Sequence, residues 1–241
     1  GRAALFAGAG KTLVGFAAEA APTLDPATPE LMLRSADAVL AAALDALVCG
    51  PGLATGAKSG ELVRRALALP LPLLLDADAL NVIADDDALA ALAAARGSPT
   101  LLTPHPGEAA RLLRMTVAAV QRDRPGAAAA LAKKLAASVA LKGVGTVIAH
   151  PDGRYAINGS GNPGLASGGT GDTLSGFVGA LLAQGVPGPE ALELAVCLHG
   201  AAADALVARG IGPLGLTAGE LPAAARALLN AGAQTPRAGP V

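Results

Sequence analysis

Aromatic residues are almost missing from this 241-residue chain, which has no Trp, 1 Tyr and 3 Phe. Single-stranded nucleic acids are gripped by stacking bases on aromatic rings, so that mode lacks its main component. Basic runs are missing too. The 18 Lys and Arg residues are offset by 19 Asp and Glu, for a net charge of −1, so neutralising a phosphate backbone is not an expected task. Cysteine is scarce. Cys49 and Cys197 each stand in an apolar run, and two thiols make neither a disulfide framework nor a metal cluster; both are expected to be buried and reduced. No apolar run approaches the ~18 residues of a membrane span, and no signal peptide is visible. No membrane contact is expected, and a cytoplasmic location is the matching expectation. The chain opens on Gly1 rather than Met, so its true N-terminus is expected to lie upstream.

What is plentiful is core material. The chain is 52% hydrophobic and 15% charged, a balance of a globular rather than a disordered protein. With no internal repeat and no long linker, one domain over residues 1–231 is the simplest reading, with a flexible tail over 232–241. Strands are expected at Lys11–Ala17, Ala46–Cys49, Leu71–Leu75, Thr100–Leu102, Ser138–Leu141, Thr146–Ala149 and Arg154–Ile157. Helices are expected at Gly60–Leu69, Asp87–Arg96, Pro106–Arg114, Ala127–Ala137, Gly171–Gln184, Pro189–Arg209 and Thr217–Asn230. This alternation predicts an α/β fold with a largely parallel sheet covered by helices. The turn His150-Pro-Asp-Gly153 predicts an antiparallel hairpin within it. Residues 21–29 read as a surface loop.

Four strands run into loops of unusual composition: Gly50-Pro-Gly-Leu53, Asp76-Ala-Asp-Ala-Leu-Asn81, Thr103-Pro-His-Pro-Gly-Glu108 and Lys142-Gly-Val-Gly-Thr146. In a parallel sheet these strand ends share one edge, where ligands bind. Each loop alone could equally supply caps and turns. The strongest signal is Gly168-Gly-Thr-Gly-Asp172, at the start of an apolar helix. Glycines let backbone N–H groups converge, and the helix dipole adds positive potential, a combination that binds a transferring phosphoryl group. Asp172 falls in the first turn, where a carboxylate can deprotonate a substrate hydroxyl. The competing reading is that Asp172 only caps the helix. Gly10-Lys11-Thr12 lacks the upstream glycine of a P-loop, and Gly159-Ser-Gly-Asn-Pro-Gly164 does not directly open a helix as a dinucleotide fingerprint would. His199 is expected to be packed in a helix and His150 to be solvated in the hairpin turn. Asp85-Asp-Asp87 reads as a solvated helix start, and no metal held by the protein's own side chains is expected.

Taken together, Gly50-Pro-Gly-Leu53, Leu75-Asp-Ala-Asp-Ala-Leu-Asn81, Leu102-Thr-Pro-His-Pro-Gly-Glu108, Leu141-Lys-Gly143, Asn162-Pro-Gly-Leu-Ala-Ser-Gly-Gly-Thr-Gly-Asp172 and Thr217-Ala-Gly-Glu-Leu221 resemble the ADP/ATP-dependent NAD(P)H-hydrate dehydratases, a branch of the ribokinase-like superfamily. The resemblance implies a three-layer sandwich whose first strand, normally upstream of the Arg2-Ala-Ala-Leu helix, is missing from this chain. It implies that ADP or ATP, carrying Mg²⁺, phosphorylates the ring hydroxyl of the S epimer of NADHX or NADPHX, and that phosphate then leaves to restore NADH or NADPH. By that resemblance Asp172, Gly169 and Gly171 are catalytic, with Gly168 beside them. Gly52, His105 and Asp172 face the hydrated dinucleotide, and Lys142, Gly143, Val144, Gly145, Thr146 and Gly171 contact the adenine nucleotide. A homo-oligomer, a tetramer in the family, is implied, as is an NAD(P)H-hydrate epimerase, fused or separate. A small-molecule kinase and a non-catalytic nucleotide-binding protein are the alternatives. Where the family has Gly after Gly-Pro-Gly-Leu, this chain has Ala54.

Overall fold

The computed structural model describes residues 1–18 and 20–234. The chain opens with helix α1 (Arg2–Phe6), strand β1 (Leu13–Phe16), β2 (Met32–Ser35) and α2 (Ala36–Leu40). Next come β3 (Leu47–Cys49), α3 (Ala57–Ala68), β4 (Leu73–Leu75), α4 (Asp78–Asp85), α5 (Asp87–Ala94) and β5 (Thr100–Leu102). Three helices, α6 (Pro106–Leu113), α7 (Val117–Arg122) and α8 (Arg124–Leu135), lead to β6 (Ser138–Leu141), β7 (Val147–Ala149) and β8 (Tyr155–Ile157). After a 3₁₀ turn at Pro163–Ala166 the chain is helical: α9 (Thr170–Ala183), α10 (Gly188–Ala208) and α11 (Leu221–Gln234).

The main sheet has six strands in the order β3-β4-β5-β6-β7-β8. The first four are mutually parallel, and β6-β7-β8 are antiparallel. The strands are three or four residues long, so alternation decides their packing. Leu73, Leu75, Leu102, Val139, Leu141 and Val147 face one core, built with Val63, Leu80, Leu89, Leu112 and Leu131 of α3 to α8. Leu74, Leu101, Ala140 and Ile148 face the other, built with Phe177, Leu192, Leu206 and Leu221 of α9, α10 and α11. Helices on both faces make the three-layer sandwich that the sequence predicts.

Several expectations need correction. The first expected strand shortens to β1 and pairs with β2 in a separate two-stranded parallel sheet; β2 reads Met-Leu-Arg-Ser, too polar to stand out by pattern. The Asp76–Asn81 stretch is only partly loop, because α4 starts at Asp78. His150 is not solvated. It is 3% exposed, with Nδ1 2.9 Å from Ser138 Oγ and Nε2 2.9 Å from Glu193 Oε1, which ties the hairpin to α10. Cys197 is exposed and Cys49 only partly buried, because Cys197 lies on the outer side of α10. That helix is long and apolar enough by length and composition to cross a membrane. The expectation that no apolar run approaches membrane-span length therefore fails for α10, over half of whose apolar window is buried in the domain, as in a core helix. Helix α11 runs three residues into the segment expected as a tail, and 235–241 lie outside the described residues.

Candidate active site

The C-terminal ends of β3 to β6 deliver their loops to one edge, and the backbone stitches those loops together. Asp76 N–H donates to Cys49 O (3.1 Å), Thr103 N–H to Leu75 O (3.3 Å) and Lys142 N–H to Pro104 O (2.8 Å). Glycine is obligatory at position 50: its φ is 128°, and a Cβ there would lie 1.8 Å from Asp76 O. The next loop residues are held by α4, whose Asp78 Oδ2 accepts the Ala54 N–H at 2.8 Å. Ala54 itself sits at φ 61°, in the left-handed region that glycine favours. Gly52 is exposed at φ 66° with open space over its Cα.

Helix α9 begins on the same edge without a side-chain cap. Its N-cap is Gly169 at φ 83°. The nearby hydroxyls turn away from the helix mouth. Thr170 Oγ1 donates to Leu165 O and Ser167 O, and Thr173 Oγ1 to Gly169 O and Ala218 O. The first-turn N–H groups are thus left for an outside acceptor. Gly168 and Gly169 are exposed, and a Cβ on Gly168 would meet nothing. Asp172 lies in the first turn and does not cap the helix, which removes the cap reading of the motif. Its carboxyl is held above the ordinary carboxylate pKa, first by partial burial and then by the neighbouring Asp76 charge, with Lys142 pulling the other way.

Asp76 is the buried centre of this edge at 1% exposure. Its Oδ1 accepts from Lys142 Nζ at 2.7 Å, and its Oδ2 from Ser175 Oγ at 2.6 Å. One carboxylate therefore ties the ends of β4 and β6 to the second turn of α9. A Cβ on Gly171 would lie 3.4 Å from Lys142 Nζ, so the ammonium sits against the start of the helix. The Lys142–Thr146 loop projects outward. Val144 is 100% exposed, Gly143 and Gly145 have positive φ, and Thr146 Oγ1 donates to Gly143 O at 3.1 Å.

His105 takes part in a device that its sequence context conceals. It is the N-cap of α6, where its Nδ1 accepts the N–H groups of Gly107 (2.9 Å) and Glu108 (3.2 Å). The buried Glu108 returns the favour by accepting the His105 N–H at 2.7 Å, completing a capping box. The ring remains 56% exposed, with Nε2 3.3 Å from Glu108 Oε1. Lys142 N–H bonded to Pro104 O puts the histidine's neighbour against the Lys142 loop. The sequence reading missed the partnership of Asp76 and Ser175, which are 99 residues apart and carry no spacing signal. It also missed Asp204 of α10, whose two oxygens accept from Gly161 N–H (2.8 Å) and Asn162 Nδ2 (2.9 Å) and hold the Gly-rich loop ahead of α9. Among the described residues no group of three or more His, Cys, Asp or Glu side chains could hold a metal ion.

A parallel α/β edge carrying an uncapped Gly-rich helix start, a first-turn carboxylate and a buried lysine–aspartate pair defines a phosphoryl-handling α/β protein. The family model described as NAD(P)H-hydrate dehydratase matches residues 1–221. The chain belongs to that family. It is 44% identical, over 95% of its length and 78% of the relative's, to an ADP-dependent (S)-NAD(P)H-hydrate dehydratase of Neisseria meningitidis serogroup B. It is 45% identical over 75% of its length to the bifunctional NAD(P)H-hydrate repair enzyme Nnr of Moorella thermoacetica, of which it spans only 33%. The crystal structure of an ADP/ATP-dependent NAD(P)H-hydrate dehydratase from Bacillus subtilis, co-crystallized with ATP/Mg²⁺ and soaked with CoA, superposes with a TM-score of 0.80. That match is at 31% identity and covers 96% of this chain and 84% of the other.

Proposed function

We propose that this chain restores NADH and NADPH from their hydrated S epimers at the expense of ADP or ATP. The observation that carries this reading is the uncapped start of α9 with Asp172 in its first turn beside the Asp76–Lys142 pair. Asp172 takes the proton of the ring hydroxyl, and the freed oxygen attacks the terminal phosphorus of the nucleotide. The bond to the nucleotide's bridging oxygen breaks, and the nucleotide departs one phosphate shorter. The N–H groups at Gly169 and Gly171 hold the phosphoryl oxygens while charge builds on them. Hydroxide is a poor leaving group and phosphate a good one. The ring nitrogen's lone pair then expels phosphate, and a proton leaves the adjacent ring carbon to close the double bond.

Lys142 through Thr146 hold the adenine nucleotide, while Gly52 and His105 face the dinucleotide. Mg²⁺ arrives on the nucleotide and supplies charge neutralisation there. In the cell the enzyme works in the cytoplasm as a homo-tetramer, downstream of an epimerase that interconverts the two hydrate epimers. Supplying hydrated NADH with ADP or ATP is expected to regenerate the absorbance of reduced nicotinamide and release inorganic phosphate. A stable phosphate ester without that recovery would mark a small-molecule kinase instead, and binding of ADP with no turnover a non-catalytic protein.

A further inference from the structure

Helix α8 opens on Arg124, whose side chain lies against the Lys142–Thr146 loop. Its Nη2 donates to Leu141 O at 2.9 Å and to Gly145 O at 3.3 Å, so one nitrogen closes the two ends of the loop. The guanidinium packs so tightly on Gly143 that a Cβ there would lie 2.3 Å from Nη1. Gly143 is therefore fixed by a neighbour as well as by its φ of 144°. Arg124 Nε is buried without a hydrogen-bond partner, and among the described residues no carboxylate pairs with the side chain. Arg2, Arg65 and Arg114, by contrast, all pair with aspartates. A half-buried cation without an anion is costly, and burial lowers its pKa accordingly.

We propose that Arg124 is a positioning residue for the adenine nucleotide, clamping the Leu141 and Gly145 carbonyls so that the loop between them presents its N–H groups outward. This rests on reading Lys142–Thr146 as the nucleotide loop. Arg96 supplies the contrast. It too donates to backbone carbonyls, of Leu67 and Leu71, but at the opposite end of the sheet, where only folding depends on it.

Steady-state kinetics and ADP calorimetry on the full chain test the proposal. Arg124→Ala is expected to raise the nucleotide KM and Kd about tenfold or more while kcat and the hydrate KM change by less than about threefold. Arg124→Lys should recover part of the affinity, because one ammonium can donate to two carbonyls as Nη2 does but lacks the planar group that packs on Gly143. Added free guanidinium should restore nucleotide affinity to Arg124→Ala. Arg96→Ala should lower Tm with no change in nucleotide Kd. If Arg124→Ala folds poorly, Arg124→Gln takes its place. The proposal is overturned if Arg124 variants leave nucleotide Kd unchanged, or lose every parameter together with Tm as a folding defect would. Thr146→Val and Gly145→Val probe the loop itself. If they weaken ADP binding while Arg124→Ala does not, the positioning role alone fails. If they leave ADP binding intact, the loop reading fails and takes the role of Arg124 with it.

Discussion

In its proposed role as base, Asp172 works only while it is ionised, and its surroundings decide when that is. Burial and the Asp76 charge raise its pKa, so turnover is expected to fall as pH drops through that raised value. Removing the Asp76 charge lowers the Asp172 pKa, and a pH–rate profile of Asp76→Asn should show its acid limb displaced to lower pH. An unmoved limb would mean that Asp76 does not tune the base. Asp172→Asn should fold and bind ADP normally yet turn over roughly 10²-fold or more slowly; near wild-type rates would free Asp172 of the role. Ala54 is the residue-scale strain. A non-glycine side chain at φ 61° costs about 1 kcal/mol, so Ala54→Gly should raise stability by about that amount in urea titrations, reduced by the chain entropy that glycine adds to the unfolded state. The thiols differ as well. Burial pushes Cys49 up to about 11 while Cys197 is exposed, so alkylation of the native protein should label Cys197 alone by mass spectrometry.

Under the proposed function, helix α6 joins two duties at one side chain. His105 caps the helix through Nδ1 and leaves its ring over half exposed, with Nε2 3.3 Å from Glu108 Oε1. Loss of the cap costs about 1 kcal/mol, so His105→Ala should lower stability and weaken dinucleotide binding together. His105→Asn retains a good capping side chain without the imidazole. It is expected to recover the stability but not the dinucleotide KM, and recovery of both would limit the histidine to capping. At this scale the sequence was legible where periodicity and composition agreed. The apolar runs of β4, β5 and β6 and the apolar helices α9 and α10 stand close to their expected bounds. Elements without such agreement were not legible: β2 is four residues with two polar ones, and α4 begins inside an Asp-rich motif that reads as a loop. The loops of the site could be named because four of them end strands on one sheet edge, although each alone could serve as a cap or turn. Their partners, Ser175 on Asp76 and Asp204 on the Gly-rich loop, come from distant helices and leave no local trace.

Across the whole molecule, the sheet divides two cores, and the histidine behind the site belongs to the second. His199 is buried against the edge of Phe177, with Nε2 unpartnered, and burial lowers its pKa from 6.5 to about 4. Unfolding lets this ring take up a proton below 6.5, so folding stability is complete above that value and falls as pH drops towards 4. By linkage the loss is about 2 kcal/mol between pH 7 and pH 5. Denaturant titrations at those two pH values should show it in the wild type, and His199→Leu should lose that part of the pH slope whatever its effect on packing. His150, read from its turn as solvated, shows the limit of local inference: the sequence marks a hairpin, but only the fold brings Glu193 of α10 over it.

The buried carboxylate at the end of β4 has one more consequence. The charges of Asp76 and Asp78 both raise the Asp172 pKa, and those of Lys142 and the Gly1 amino group lower it. Three carboxylates outnumber the ammonium groups beside them and would repel a bare polyphosphate, and the dipole of one helix offsets that only in part. If the nucleotide binds at this edge as proposed, a counter-ion is expected to travel with the incoming phosphates. The affinity for ADP should climb steeply as magnesium is titrated in, beyond what ionic strength alone produces, and a magnesium-independent Kd would show that the edge is not the negatively charged gate its side chains make it.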